Sequence, residues 1–130
     1  MKLKLKEHTL FEVLNELTNL YGHGAKNKKL CVICNDKESL DGNADPIIDG
    51  ENVTQVKCVF EEHNKKFFLV IDFDFDPNCK AMKLVDIIRY LERLPVNRST
   101  KVALNMHGEI DYEYDCKVLD EDVIWNVTVK

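Results

Sequence analysis

Residues 84–94 read LVDIIRYLERL, and residues 10–20 read LFEVLNELTNL. Apolar side chains recur at helical spacing in both stretches, which predicts two amphipathic helices with one apolar stripe each. The stripes coincide at a constant offset of 74 residues. This coincidence predicts a single domain with an internal repeat of residues 1–75 and 76–130. The alternative is that the stripes match only because all amphipathic helices share such a pattern.

Capping residues predict where the two helices begin and end. Thr9 and Glu12 form a capping box, in which the hydroxyl and the carboxylate each accept a hydrogen bond from a free N–H group at the helix start. Asp76 and Pro77 are predicted to open the second helix, because proline suits the first helical position. Pro95 is predicted to end it.

Short apolar or alternating runs outside the helices predict strands. The predicted strands cover residues 2–6, 30–34, 53–61, 66–75, 101–106, 110–119 and 123–129. Residues 35–52 are predicted to form a long polar loop. We therefore expect an α+β fold of two α-β-β-β units, with mainly antiparallel sheet and two helices packed on one face. Because one such unit cannot bury its apolar face alone, the halves should share a core or join into one sheet.

The composition is that of a globular protein that binds neither nucleic acid nor membranes directly. The 130 residues are 45% apolar and 32% charged, with a net charge of -5, whereas nucleic-acid and anionic-membrane binders are usually basic. No run approaches the ~20 apolar residues of a membrane span, and residues 1–6 lack the apolar core of a secretory signal. Five cysteines, an odd number, predict reduced thiols and a cytoplasmic location.

One segment carries a resemblance to a known class of proteins. It comprises the striped helix at residues 84–94, Pro95, the strand at residues 101–104 and the Gly108-Glu109 turn, about a quarter of the chain. In this order the segment is similar to small accessory proteins of phages and other mobile elements. Proteins of this class are often of unknown function, and some inhibit host defence systems. If this chain is phage-encoded, the resemblance implies a location in the host cytoplasm.

The motifs for catalysis or cofactor binding are incomplete. Cys31 and Cys34 form a C-x-x-C pair, but a zinc site needs a second pair at matching spacing. In a strand their side chains point to opposite faces, so buried thiols are the simpler interpretation. The sequence has no glycine-rich phosphate motif and no nucleophile motif. We therefore predict no catalytic residue, no cofactor and no metal site.

Part of the predicted loop resembles a calcium-binding loop in its spacing. Oxygen-bearing side chains stand at the first, third, fifth and ninth positions, as Asp41, Asn43, Asp45 and Asp49. However, Pro46 occupies the position where the turn of such a loop needs glycine. We predict that this loop contacts a partner, because long structureless loops in small domains are often functional.

The most unusual pattern is an alternation of acidic residues with apolar or aromatic residues. Glu109, Asp111, Glu113 and Asp115 alternate with Ile110, Tyr112, Tyr114 and Cys116. In a strand this alternation places four carboxylates on one face, about 7 Å apart. A shorter row of the same kind consists of Asp72, Asp74 and Asp76. The alternative is a solvated sheet face that a basic row, Lys2, Lys4 and Lys6, neutralises across strands.

We predict that the acidic residues contact a basic surface of a protein partner, such as a host factor, since carboxylate rows steer association with basic clefts. The predicted contact residues are Glu109, Asp111, Glu113, Asp115, Asp41, Asp45 and Asp49. The alternative function is to bind or sequester a small ligand, either a nucleotide or a metal ion, between the two halves or between subunits. Exposed strand edges in so small a sheet also favour a homodimer.

Overall fold

The computed structural model describes residues 5–21, 28–36, 48–119 and 124–129. These residues form an α+β fold whose strand pairing is mostly antiparallel, as predicted. The predicted strand at residues 2–6 falls mainly outside the described residues. No helix in the described part of the chain is long and apolar enough to span a membrane.

Helix α1 covers Leu10–Tyr21 and begins at the predicted capping box. The Thr9 N–H donates a hydrogen bond to Oε1 of Glu12 at 3.2 Å, and the Glu12 N–H donates one to Oγ1 of Thr9 at 3.2 Å. Each residue thus satisfies a backbone group that the first helical turn leaves free, and caps of this kind contribute about 1 kcal/mol.

Helix α2 covers Leu84–Glu92 and begins later than the predicted start at Pro77. The Asp76 carboxylate instead closes a tight turn by accepting a hydrogen bond from the Asn78 N–H at 2.9 Å. Lys83 is extended, with φ -82° and ψ 151°, and forms a β-bridge with Lys29. Because this bridge holds the chain extended, the helix cannot begin before Leu84.

The first sheet is built around a hairpin and a parallel strand. Its strands are β1 (His8–Thr9), β4 (Gln55–His63), β5 (Lys66–Asp74), β6 (Lys101–Met106) and β7 (Glu109–Asp111). Strands β4 and β5 are antiparallel, and β6 pairs in parallel with β5. Strands β1 and β7 both pair with β6, which leaves β4 at the opposite edge of the sheet.

The second sheet has the order β3, β2, β9, β8. Its strands are β2 (Cys31–Asp36), β3 (Ile48–Asn52), β8 (Asp115–Leu119) and β9 (Ile124–Val129). Strand β3 lies in the segment that the sequence predicted to be loop, so that prediction is wrong for residues 48–52. Gly50 has a φ of 61° beside a register irregularity between Val32 and Cys34. Such a bulge breaks the alternation by which strands are recognised.

Each sheet combines strands from both halves of the chain. The first sheet joins the β4–β5 hairpin to β6 and β7, and the second joins the β8–β9 hairpin to β2 and β3. In the first sheet, β5 lies parallel to β6, the first strand after α2. In the second sheet, β9 lies parallel to β2, the first strand after α1. Apart from β1, which has no described counterpart in the second sheet, the pairing pattern is therefore the same when residues 1–75 and 76–130 exchange roles. The duplication itself stays a prediction.

One apolar core draws on both helices and both sheets. Its most deeply buried side chains include Leu17, Leu84, Leu104, Tyr114 and Trp125. The helices contact each other, and the two halves share this core rather than forming one sheet. A smaller apolar cluster covers the other face of the first sheet, with Phe68, Val70 and Ala103 beneath Ile110 and Tyr112.

Candidate functional site

The acidic row at residues 109–115 does not form one strand. Glu109 and Asp111 lie on β7 in the first sheet, whereas Asp115 begins β8 in the second sheet. Glu113 lies in the connection between these two strands. The prediction of four carboxylates on one face of a single strand is therefore wrong.

The two tyrosines within the row explain why the strand breaks. Tyr112 packs against the smaller cluster on the first sheet, whereas Tyr114 is fully buried in the main core. The Tyr114 hydroxyl donates a hydrogen bond to the Val102 carbonyl at 2.9 Å, and its ring stacks on His8 with 4.6 Å between centroids. Side chains two residues apart in a strand share a face. The chain must leave the strand conformation to place these two rings in different layers.

Strand β7 and the tip of the β4–β5 hairpin border a cleft of about 230 Å³. Three carboxylates line this acidic cleft: those of Glu7, Asp111 and Glu113. Its other lining residues are His63, Asn64, Ile110 and Tyr112. The structure thus brings together two of the predicted contact residues and adds Glu7, which sequence reasoning missed because no periodic pattern connects it to β7.

Stacked rings form one wall of the acidic cleft. The His63 and Tyr112 rings are nearly parallel, at an angle of 5°, with 3.7 Å between their centroids. The fully buried Phe68 ring meets Tyr112 edge-on at 4.8 Å. The Tyr112 hydroxyl donates a hydrogen bond to Oε2 of Glu61 at 3.4 Å. These contacts fix the Tyr112 ring beside the carboxylates, and the faces of aromatic rings attract cations.

Within the described residues, ion pairs neutralise only part of the negative charge of the acidic cleft. Glu7 accepts ion pairs from Lys66 at 3.3 Å and Lys101 at 3.9 Å. Among the residues that the structure describes, Asp111 and Glu113 form no ion pair. Burial, followed by repulsion from Glu109, raises the pKa of Asp111 to about 6. The surroundings of Asp111 therefore disfavour the charged form of its carboxylate. A cation bound nearby would stabilise that charged form.

Glu109 and Asp115 do not line the acidic cleft. Glu109 is exposed on β7, and Asp115 lies in the second sheet. Asp49 lies on β3. Asp41 and Asp45 lie outside the described residues, as does most of the calcium-like loop.

Only Lys6 of the predicted basic row lies within the described residues. Lys2 and Lys4 lie outside the described residues. Lys6 does pair with the acidic segment through its backbone, which exchanges hydrogen bonds of 3.3 and 3.0 Å with Tyr114. Its ammonium group, however, lies 3.6 Å from Oε2 of Glu12. The ammonium group of Lys6 therefore pairs with Glu12 at the start of α1.

The shorter acidic row lies at a separate place on the first sheet. Asp72, Asp74 and Asp76 line a cleft of about 420 Å³ together with Lys57 and His107. Hydrogen bonds from the Asn78 N–H and from the Cys79 thiol lower the pKa of Asp76. No group of three or more potential metal ligands occurs among the described residues.

Four of the five cysteines are buried or half-buried, and Cys79 is exposed. Cys34 on β2 is buried, and Cys31 is half-buried. Burial raises the pKa of Cys58 to about 11 and the pKa of Cys116 to about 12. Because the thiolate is the reactive form, thiols at Cys58 and Cys116 are unreactive near neutral pH.

Comparisons of the chain with protein-family models, with curated proteins and with solved structures found no match in any of the three. The function of the protein must therefore be inferred from the chemistry of its own surface.

Proposed function

We propose that this chain is a non-enzymatic binding protein that holds a basic side chain of a macromolecular partner in the acidic cleft. The observation that carries the proposal is the half-buried Asp111 beside Glu113 and the fixed ring of Tyr112. A cation that enters the cleft would meet two carboxylates without ion pairs in the described part of the chain. It would also offset the burial penalty that raises the pKa of Asp111.

The shape and chemistry of the acidic cleft favour an arginine side chain. A guanidinium group can bind a carboxylate through two parallel hydrogen bonds and can stack on an aromatic ring, whereas an ammonium group acts as a point charge. The cleft measures about 230 Å³. Sites that enclose a drug-sized ligand measure roughly 300–1,000 Å³, so a single side chain suits this cleft better than a nucleotide does.

The overall charge supports the same kind of partner. A net charge of -5 attracts a basic surface over long range and disfavours direct contact with nucleic acid. The similarity to accessory proteins of mobile elements adds the hypothesis that the partner is a host factor in the cytoplasm, which this protein would inhibit by occupying its basic surface.

Titration with a hexa-arginine peptide tests this function. We expect binding at low salt that shifts the NMR resonances of the Tyr112 and His63 rings and weakens as salt is added. The double variant Asp111→Asn/Glu113→Gln should bind the peptide about tenfold more weakly, a loss of ~1.4 kcal/mol. A hexa-lysine peptide should bind more weakly than hexa-arginine, because it lacks the planar group.

The matched control is Asp86→Asn/Glu92→Gln, which removes the same two charges from exposed positions on α2. This variant has the same net charge as the cleft variant and should keep the affinity of the unmodified protein. If both double variants lose affinity equally, the peptide responds only to net charge and the acidic cleft is not the binding site.

The second candidate function is binding of a polar small molecule between the two halves. A cleft of about 460 Å³ lies where they meet, and Lys29 and Glu51 line it from one half while Asp76 and Lys80 line it from the other. A nucleotide held far above its Kd would raise the free energy of unfolding by ~2–4 kcal/mol. Thermal unfolding with a panel of nucleotides measures this, and Lys80→Ala should reduce any shift. An unchanged melting temperature across the panel would rule this candidate out.

A further inference from the structure

We infer that the chain forms a symmetric homodimer in which β4 pairs antiparallel with β4 of a second copy. Strand β4 is 9 residues long, and in the described part of the chain it pairs only with β5. Its side chains include Val59, 46% exposed, and Phe60, 57% exposed. A long edge strand with exposed apolar side chains and without proline is a template for another strand. This contact lies on the edge of β4 rather than in the acidic cleft, although Glu61 of β4 also accepts the hydrogen bond from Tyr112.

The hairpin turn determines which backbone groups of β4 are free. Asn64 and Lys65 have φ values of 51° and 63°, as in a two-residue type I′ turn, and His63 lies opposite Lys66. Residues that flank such a turn exchange both backbone hydrogen bonds, and bonded pairs then recur at every second position. Positions 57, 59, 61 and 63 therefore bond to β5. Positions 56, 58, 60 and 62 direct their N–H and C=O groups out of the sheet.

Only one symmetric register places opposite charges across the contact. In an antiparallel pair, two residues that face each other either both direct their backbone groups toward the partner strand or both direct them away. For two copies of β4, this condition requires the two-fold axis to pass through a residue and not between two residues. Centred on Val59, the pairing sets Lys57 opposite Glu61 of the second copy, and it does so twice by symmetry. Centring on Lys57 or on Glu61 sets like charges opposite each other. No other centre within β4 places Lys57 opposite a carboxylate.

The same register also satisfies the free backbone groups and covers the exposed apolar side chains. Positions 56, 58, 60 and 62 meet their counterparts in four bonded pairs, which gives roughly eight backbone hydrogen bonds. Val59 meets Val59 of the second copy on one face, and Phe60 lies beside Cys58 of the second copy on the other. Lys57 lies opposite Asp72 on β5, but it forms no ion pair within the described residues. Its ammonium group can therefore turn towards Glu61 of the second copy.

Sedimentation equilibrium of the full chain tests the dimer and its register. The unmodified protein should sediment as a dimer. Lys57→Glu sets two carboxylates opposite each other, and Glu61→Lys sets two ammonium groups opposite each other. Each single variant should weaken dimerisation roughly tenfold or more. The double variant Lys57→Glu/Glu61→Lys exchanges the two charges and should restore the dimer.

Rescue in the double variant would exclude a folding defect as the cause of dissociation in the single variants. The double variant contains both substitutions, so a defect caused by either one would persist in it. A protein that stays monomeric up to roughly 1 mM, where even a weak millimolar dimer is half formed, would overturn the inference. A dimer that withstands both single charge reversals would overturn the β4 contact. Single variants that dissociate without rescue in the double variant would overturn the Val59-centred register.

Discussion

A Tyr114→Ala variant is expected to lose about 3–5 kcal/mol of its free energy of unfolding, because it removes a large aromatic side chain from the core. Tyr114 is 0% exposed, stacks on His8 and donates a hydrogen bond to the Val102 carbonyl. A loss of this size is a large part of the 5–15 kcal/mol that stabilises an ordinary domain. Urea unfolding followed by circular dichroism measures it.

The conservative variant Tyr114→Phe separates the ring from the hydroxyl group. It keeps the packing on His8 but leaves the buried Val102 carbonyl without its donor, at a cost of about 1–3 kcal/mol. Tyr114 anchors the end of the connection that follows β7. The alanine variant should therefore also displace Tyr112 and weaken binding in the acidic cleft. An alanine variant no less stable than the phenylalanine variant would contradict the burial described above.

An Asp111→Asn variant is expected to be more stable than the unmodified protein above pH 6. The pKa of Asp111 in the folded protein, about 6, exceeds its ordinary value of 3.8. Between these values the folded protein keeps a proton that the unfolded chain has released, so the free energy of unfolding falls as pH rises through this window. The full shift corresponds to ~3 kcal/mol, which solvent screening at this half-buried position reduces to about 1–2 kcal/mol.

Urea unfolding at several pH values between 3.5 and 7.5, chosen to span roughly the two pKa values, measures the effect. The advantage of Asp111→Asn should grow from near zero at the acidic end to its full size at the neutral end. Glu113→Gln removes the same charge from an exposed position in the same cleft and should change stability by less than about 0.5 kcal/mol. A pH-independent difference between Asp111→Asn and the unmodified protein would show that Asp111 is not desolvated.

Elements with local signals could be predicted from the sequence. The Thr9–Glu12 capping box and the leucine stripe place α1 correctly, because the two capping hydrogen bonds join residues only three apart in the chain. The first two N–H groups of the helix also donate to the distant carbonyls of Thr100 and Arg98, but these bonds add to a start that the local sequence already indicates. The β4–β5 hairpin was predicted for the same reason. Alternation in each strand and the short polar segment between them determine the pairing without help from the rest of the molecule.

Elements fixed by distant partners could not be predicted. The extended segment before α2 is held by a hydrogen bond of 2.8 Å from the Met82 N–H to the Val53 carbonyl and by the bridge from Lys83 to Lys29. Asp76 and Pro77 alone suggest a helix start, since the sequence does not show that the next residues pair with other strands. Tertiary contacts therefore override the local preference here.

The acidic cleft was only half predictable for a related reason. The alternation drew attention to Asp111 and Glu113, but alternation cannot show that Tyr112 and Tyr114 belong to different layers. Glu7 joins the cleft only because β1 and β7 lie along the same edge of β6. Such proximity is a property of sheet topology, which single-sequence patterns do not contain.

The position of β9 has a consequence for the newly made chain. This strand lies in the middle of the second sheet, between β2 and β8. While the ribosome is still translating the residues before β9, β2 therefore lacks the neighbour that covers one of its edges. Pairing between segments so far apart in sequence is slow, and unpaired strand edges associate readily with other nascent chains. Chaperone protection would matter most in the interval between the emergence of β2 and the emergence of β9.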